Sequence, residues 1–362
     1  MAGTTGPGGP GPGGIEPIPP LLDALLRSPG PSGSEDGPAE VWRAALADCA
    51  DTSRDRLGSA LAHRPGTGEG PSVAIFTHID EIGLIVRAIS EEGFLLIGQI
   101  GGWDPQNLVG QRVEVLGRHG PVPGVIGRRA IHLLTREQLT QVVELKDLRI
   151  DIGVAGAAEA RELVEVGDPA VLAVEPVSLP HGRVVSRSLD NRVSAYAAAR
   201  VMQGLAEGGG TPGAVTAVAA VQEETSLAGA RVASFAVAPD FAVVIDVTQA
   251  ADGPGDTQEI AGDARLGSGP VIVRGAHADV RIVRALRETA AELGIPYTLE
   301  AAGGATYTDA DAVHVSRAGI PTCIVSIPLR YMHSPVEMIQ LSDVEQTAEL
   351  VRGLITRSVA SL

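Results

Sequence analysis

The chain has 362 residues, of which 44% are hydrophobic and only 3% aromatic, and its formal net charge is −16. This length allows one large domain or two modest ones, with a core built mainly from aliphatic side chains. The acidic charge argues against a nucleic-acid partner, because a phosphate backbone requires a basic protein surface. Two cysteines are too few for a disulfide framework. No apolar run approaches the roughly 18 residues of a membrane helix, and no signal peptide precedes the first helix, so we expect a cytoplasmic protein without a membrane partner.

The N-terminus is unlike the rest of the chain, because ten of its first fourteen residues are Gly or Pro. Such a segment cannot bury apolar surface, and we predict a disordered tail over residues 1–17. Helices are predicted from Pro20 to about residue 27, with proline in the first turn, and over residues 39–50.

Four buried strands are predicted from apolar runs that end in polar residues. The runs are residues 73–76, 214–221, 241–245 and 322–327. Helical spacing lies between or after them, at residues 193–207, 278–294 and 342–360. Strands that alternate with such helices indicate an α/β sandwich, which we assign to residues 18–103 and 177–362. Between these parts, residues 104–176 contain short runs broken by Gly and Pro, which predict a small inserted β-rich domain.

Candidate ligands gather just after the predicted strands, where α/β proteins bind their ligands. They are His78, Asp190, Glu223, Glu224, Asp246 and His333. Imidazole and carboxylate without thiolate suit a catalytic zinc, cobalt or manganese site. Each signal alone has a plainer interpretation, since Asp190 could cap the following helix. The adjacent glutamates could face one site only if their strand has already ended.

Five ordered segments together resemble the motifs of the M42 family of metallo-aminopeptidases. They are THIDEIGLIV (77–86), SLDNRVSAYAAARV (188–201), VQEETSLAGAR (221–231), VIDV (244–247) and IPLRYMHSPVEM (327–338). GVIGRRAIHLL (124–134), DLRIDIG (147–153) and GDP (167–169) resemble the inserted domain of that family. The resemblance implies a mixed-sheet α/β/α sandwich catalytic domain with a small β-barrel-like insertion.

The same resemblance implies a site for two divalent cations, with zinc or cobalt expected first and manganese as a further option. Asp190 is similar to the carboxylate that bridges both cations. His78 and Asp246 would complete the first ligand set, and Glu224 and His333 the second.

Catalytic roles follow from the resemblance in the same way. Glu223 is similar to the general base that takes a proton from the metal-bridging water, and Asp80 to the carboxylate that orients a ligand imidazole. The implied activity is the release of N-terminal residues from short peptides. The implied assembly is a homo-oligomer, often a dodecamer.

The loop before the last predicted strand departs from the family pattern. It reads GGATYTDADAVH (303–314), with Asp311 where a small residue is usual. An acidic group there predicts weak activity on N-terminal Glu or Asp and a preference for neutral or basic residues. Arg330, which the resemblance brings close to the metal site together with Tyr331, could pair with Asp311 and cancel this effect.

Three other functions compete with the aminopeptidase. A deacylase or deamidase could use the same metal pair, and paired carboxylates could cleave a glycoside. The few aromatic residues available to stack on sugars argue against the endoglucanase-type hydrolase. An inactive assembly protein would be expected to lack a ligand, and none of the inferred ligands is missing.

Overall fold

The computed structural model describes residues 14–255 and 258–357. The strands in chain order are β1 (Asp51–Arg54), β2 (Ala60–Arg64), β3 (Val73–His78), β4 (Gly83–Ile89), β5 (Leu95–Ile100), β6 (Arg112–Gly117), β7 (Gly120–Ile126), β8 (Arg149–Asp151), β9 (Pro169–Leu172), β10 (Val177–Leu179), β11 (Arg183–Ser186), β12 (Val215–Ala220), β13 (Phe241–Gln249), β14 (Val271–Gly275), β15 (Thr298–Ala302), β16 (Thr322–Leu329) and β17 (Glu337–Gln340). The α-helices are α1 (Pro20–Arg27), α2 (Asp36–Leu46), α3 (Ala157–Leu163), α4 (Leu189–Glu207), α5 (Glu223–Ser226), α6 (Ala228–Val237), α7 (Gln258–Ala261), α8 (Val280–Leu293), α9 (Ala310–Val313) and α10 (Leu341–Arg357).

The main sheet has eight strands in the order β1-β2-β12-β3-β13-β16-β14-β15. The four apolar runs of the sequence become its central strands β12, β3, β13 and β16, which are mutually parallel. The outer pairings β1 with β2, β2 with β12 and β14 with β16 are antiparallel. The sheet is therefore mixed, as predicted. The central strands are buried over most of their length, which explains why their sequences are almost continuously apolar.

Helices cover both faces of this sheet, which confirms the α/β/α sandwich. On one face α1, α2, α4, α8 and α10 bury a large aliphatic core that surrounds Trp42. On the other face α6 and α9 pack small side chains such as Ala230 and Ala310 against Phe76 and Val244. The helix ends also follow from the sequence. Pro20 occupies the first turn of α1, and the side chain of Asp279 accepts a hydrogen bond from the Arg281 N–H at the start of α8.

The inserted β domain is a closed six-stranded barrel in the order β4-β5-β8-β7-β6-β9. Its two first strands, β4 and β5, lie within the range 18–103 that the sequence assigned to the catalytic domain, so the boundary at residue 104 is wrong for these strands. The apolar runs with which they begin resemble those of core strands of the large sheet. Only their pairing, β4 with β9 and β5 with β8, assigns them to the barrel.

Parts of both chain ends lie outside the described residues. Residues 1–13 of the predicted tail and the last residues of the predicted helix over 342–360 lie outside the described ranges. In the remainder of the predicted tail, Ile15 forms an antiparallel bridge with Pro180, so the prediction of disorder is wrong at this residue. Within residues 14–255 and 258–357, no helix is both long enough and apolar enough to cross a membrane.

Candidate metal centre and active site

The candidate ligands come from five separate elements that meet at one edge of the main sheet. His78 is the last residue of β3, Asp246 lies on β13, and Glu224 is on the short helix that follows β12. Asp190 lies at the start of α4, and His333 lies in the loop after β16. Because β3, β12, β13 and β16 are parallel, their carboxyl ends open on the same edge. Residues up to 255 positions apart in sequence are thereby brought together.

A sharp turn after β12 lets both adjacent glutamates face the site. The strand ends at Ala220, and Gln222 adopts a left-handed conformation with φ of 59° before α5 begins at Glu223. Glu223 and Glu224 therefore lie on a helix, where consecutive side chains do not point to opposite faces as they do on a strand. The strand has thus ended before the two glutamates, which is the condition under which both can face one site. The turn is held by Asp80, whose Oδ1 accepts the Glu223 N–H at 3.0 Å and whose Oδ2 accepts the Glu224 N–H at 3.2 Å.

Asp190 lies between the two histidines and presents one carboxylate oxygen to each. Its Oδ1 is 3.1 Å from His78 Nε2, and its Oδ2 is 3.5 Å from His333 Nε2. His333 Nε2 is also 3.4 Å from Glu224 Oε2. This arrangement divides the site into two halves that share one carboxylate. The peptide bond from Asp190 to Asn191 is cis.

Two overlapping groups of side chains bring their ligand atoms within 4.8 Å of one another. One contains His78, Glu223 and Asp246, and the other contains His78, Asp190 and Glu224. Glu223 Oε2 lies 3.8 Å from His78 Nε2, almost the same distance as Asp246 Oδ1 at 3.9 Å. Distances alone therefore leave Glu223 equally placed to bind a cation or to act on a neighbouring water molecule.

Burial disfavours the ionised form of several carboxyl groups in this cluster. Burial raises the pKa of Glu223 to about 10 against the opposing effect of His78, and burial also raises the pKa of Asp246 well above its usual range. Asp309 lies beneath them, 1% exposed, and burial raises its pKa to about 7. Its two carboxylate oxygens find no hydrogen-bond partner within the described ranges. Divalent cations would supply the missing positive charge.

The neighbouring carboxylates favour the charged form of both histidines and so raise their pKa values. Burial alone would lower the pKa of His333, but Asp190 and Glu224 outweigh burial and raise that pKa to about 11. His78 is fully buried, which lowers its pKa, yet Glu223 and Asp190 raise it well above the ordinary value. Protons and metal ions therefore compete for these imidazoles, since only a neutral imidazole is a ligand.

Several residues that the sequence analysis missed hold the ligands in place. Glu337 is buried and accepts the Asp190 N–H at 3.1 Å and the His333 N–H at 3.0 Å, so it joins both halves of the site. Asn191 donates its side-chain amide to Asp246 Oδ1 at 2.8 Å. Ser32 donates its hydroxyl to Asp80 Oδ2 at 2.6 Å. These contacts join residues 48 to 147 positions apart, with the exception of the four-residue spacing from His333 to Glu337, and no local motif indicates them.

The loop over residues 303–314 lacks the ion pair between Asp311 and Arg330 that the sequence analysis considered. Arg330 forms a two-point ion pair with Asp252, with Nε 2.9 Å from Oδ1, and not with Asp311. Asp311 instead accepts hydrogen bonds from the backbone N–H groups of Thr306 and Tyr307. Both aspartates are already satisfied by these nearby partners, so the proposed neutralisation of Asp311 by Arg330 is wrong.

A cavity of about 860 Å³ opens directly onto the candidate centre. Its inner end is lined by His78, Asp190, Glu223 and His333, and it extends past Thr248 towards the 303–308 segment. The space is large enough for an amino-acid side chain together with the adjoining peptide bond. The site therefore combines a buried cluster of imidazole and carboxylate groups with a pocket for a small substrate.

The family model of the M42 glutamyl aminopeptidases matches residues 58–350. The lysyl aminopeptidase of Pyrococcus furiosus is 34% identical over 340 residues, which is 92% of this chain and 96% of that protein. The solved TET aminopeptidase of a marine sediment Thaumarchaeota archaeon has a TM-score of 0.88 at 34% identity and covers 93% of this chain and 95% of its own. The TET1 peptidase of Pyrococcus horikoshii, which can assemble into a tetrahedron or a large octahedral shell, has a TM-score of 0.83 at 32% identity over 93% of this chain and 98% of its own.

This chain belongs to the M42 glutamyl aminopeptidase family. It is a peptide-bond hydrolase of the aminopeptidase class.

Proposed function

We propose that the chain is a binuclear metal-dependent aminopeptidase that uses Glu223 as its general base and acts on short peptides. The observation that carries this proposal is the position of Asp190, whose two oxygens face different histidines at 3.1 and 3.5 Å. A carboxylate so placed can be shared by two cations. His78 and Asp246 would complete the first set of ligands, and Glu224 and His333 the second.

The donor atoms fit divalent cations of the zinc, cobalt or manganese type. Imidazole nitrogen and carboxylate oxygen are the donors these ions accept in catalytic sites. The buried Oε1 of Glu224 has no hydrogen-bond partner in the part of the chain that is described, and a cation would satisfy it. When bound, the two cations would supply Lewis-acid activation of water and of the scissile carbonyl.

Glu223 is the group that moves the proton. Its carboxylate lies beside His78 at the inner end of the cavity and is largely buried. It takes a proton from the attacking water as the new carbon–oxygen bond forms. It then delivers this proton to the nitrogen of the breaking carbon–nitrogen bond, so that the leaving peptide departs as an amine.

The inserted barrel is the part of the chain that we propose to mediate assembly. Its segment over residues 131–142 exposes large apolar side chains, with Ile131 72% and Val142 68% exposed. The Pyrococcus horikoshii relative forms a tetrahedral or octahedral shell. We therefore propose a homo-oligomer, with a dodecamer as the expected form, which light scattering on the purified chain would test. A monomer would contradict this part of the proposal.

The catalytic proposal is tested by exchanging each adjacent glutamate for glutamine. Glu223→Gln should lower kcat on an aminoacyl anilide by at least about 100-fold while two cations per chain are retained. The matched variant Glu224→Gln should instead lose metal, because Glu224 is the proposed ligand. Equal metal loss in both variants would make Glu223 a ligand rather than the base. A wild-type enzyme that hydrolyses no anilide with zinc, cobalt or manganese would refute the function itself.

A further inference from the structure

The charges that line the active-site cavity are acidic even beyond the candidate metal ligands. No lysine or arginine of the described residues lines this cavity. Four of its carboxylates belong to the candidate centre, and two remain, those of Glu300 and Asp311. Cations bound at the centre would leave these last two as the groups that a substrate side chain meets.

Asp311 is already occupied by its own loop. Its carboxylate accepts the Thr306 N–H at 2.9 and 3.1 Å, the Thr306 hydroxyl at 2.6 Å and the Tyr307 N–H at 3.1 Å. These contacts use most of the lone pairs that a carboxylate offers. Asp311 therefore fixes the conformation of the loop, and it is poorly placed to bind a substrate cation.

Glu300 faces the cavity and forms no ion pair with any cation in the described parts of the chain. It lies on β15 in register with Val273 of β14, and paired residues of neighbouring strands share a face. Val273 also lines the cavity. The next residue, Arg274, does not line this cavity, and it lines a neighbouring cavity that Glu300 also borders.

The distance from the catalytic centre to Glu300 suits a long side chain. The Thr248 hydroxyl donates to Glu300 Oε2 at 2.8 Å. Thr248 lies two residues beyond Asp246 on β13, on the same face and about 6.6 Å further along the strand. A side chain that starts at the scissile bond must therefore span several methylene groups before it reaches the Glu300 carboxylate.

The same cavity offers an apolar wall for those methylene groups. Val273, Ile324 and Leu227 line it, and the first two are almost fully buried. Lysine and arginine side chains combine an apolar stem with a cationic end, which matches an apolar wall that ends in a carboxylate. An N-terminal glutamate or aspartate would instead meet like charge without a cationic partner.

On this basis we propose that Glu300 binds the cationic end of an N-terminal lysine or arginine and so makes the enzyme selective for basic residues. The inference rests on the proposed aminopeptidase function and adds the class of its substrate. Glu300 is a specificity-determining residue in this view, and it takes no part in the bond-breaking steps. A hydrogen bond to a charged group in a partly dehydrated site discriminates strongly between a substrate that makes it and one that cannot.

The test compares lysyl and norleucyl para-nitroanilides, which differ chiefly in the terminal ammonium group. We expect the wild type to favour the lysyl substrate in kcat/KM by about 10-fold or more. Glu300→Gln should reduce this ratio by about 10-fold or more, mainly through the lysyl substrate. The matched variant Asp311→Asn changes the other carboxylate of the same cavity and should leave the ratio unchanged. Glu300→Lys should shift the preference towards the glutamyl anilide.

The outcomes separate this inference from the function on which it rests. If the wild type hydrolyses none of the anilides, the aminopeptidase proposal fails. If it hydrolyses the norleucyl substrate but Glu300→Gln leaves the ratio unchanged, the function stands and the role of Glu300 is refuted. An effect of Glu300→Gln on the dipeptide Leu-Lys, without an effect on the lysyl anilide, would assign Glu300 to the second residue of the substrate and also overturn the inference.

Discussion

Asp80 supports the candidate centre from below, and replacing it with asparagine is the sharpest test of how the ligands are held. The carboxylate is fully buried, and four polar groups face its two oxygens. Its Oδ1 faces the Glu223 N–H at 3.0 Å and His78 Nδ1 at 3.3 Å. Its Oδ2 accepts from the Glu224 N–H at 3.2 Å and from the Ser32 hydroxyl at 2.6 Å.

Asparagine has one acceptor oxygen where aspartate has two, so Asp80→Asn must turn an NH₂ group towards some of these donors. The less costly orientation keeps the oxygen towards Glu223 and His78, because the Ser32 hydroxyl can rotate and accept from the amide. The Glu224 N–H then faces a second donor and loses a charge-assisted hydrogen bond, at a cost of about 1.5–3 kcal/mol. The substitution therefore removes a hydrogen bond from the candidate ligand Glu224. It also removes the negative charge that faces His78 Nδ1, the other candidate ligand in contact with Asp80.

We expect Asp80→Asn to weaken metal binding or kcat/KM by about 10–100-fold, the range found when groups that orient metal ligands are replaced. Metal affinity would be measured by competition with a coloured chelator, and kcat/KM with an anilide substrate at saturating metal. Ser32→Ala is the matched control, since it removes one donor but keeps the carboxylate, and its effect should be smaller. If Asp80→Asn retained wild-type metal affinity and wild-type kcat/KM, the supporting role of Asp80 would be refuted.

Three further substitutions give independent tests. Asp190→Ala removes the shared carboxylate and should lower the occupancy of both cations; elemental analysis that still finds two ions per chain would place the bridge elsewhere. Glu337→Gln turns an NH₂ group towards the backbone N–H of Asp190 or His333 and should lower kcat/KM by about 10–100-fold at saturating metal, whereas unchanged kinetics would count against its role. Asp343, in the first turn of α10, has a pKa that burial raises to about 6. Because the folded state holds this proton more tightly, wild-type stability relative to Asp343→Asn should fall by about 2 kcal/mol as the pH rises from about 3.8 to 6; a pH-independent difference in unfolding free energy would contradict this.

The central sheet could be predicted from the sequence because its strands are buried on both faces. Burial on both faces requires an apolar side chain at nearly every position, and this pattern is local. The runs that became β3, β12, β13 and β16 were therefore visible, as were the polar residues at their ends. The rule that ligands gather at the carboxyl edge of such a sheet then predicts that His78 and Asp246 are neighbours.

Partner choice among similar strands could not be predicted in this way. β4 and β5 begin with short apolar runs like those of the central strands, yet they pair within the barrel and not with the large sheet. A strand pattern records which face is buried, but it does not record which other strand supplies the hydrogen bonds. The boundary of the inserted domain was misplaced for this reason.

Side-chain pairing between distant segments was also decided only by the tertiary structure. Arg330 could have paired with Asp252 or Asp311, and only the packed loops place Asp252 within reach. Glu337 accepts hydrogen bonds from the backbone N–H groups of Asp190 and His333. Every residue except proline has such a group, so the identity of these residues does not indicate the contact. The amino-acid order alone specifies the kinds of side chain available to the centre and the sheet edge where they gather. The packing of the loops determines which of these side chains lie together, which support their neighbours, and which, like Glu300, face the cavity, because these positions depend on distances that no local pattern encodes.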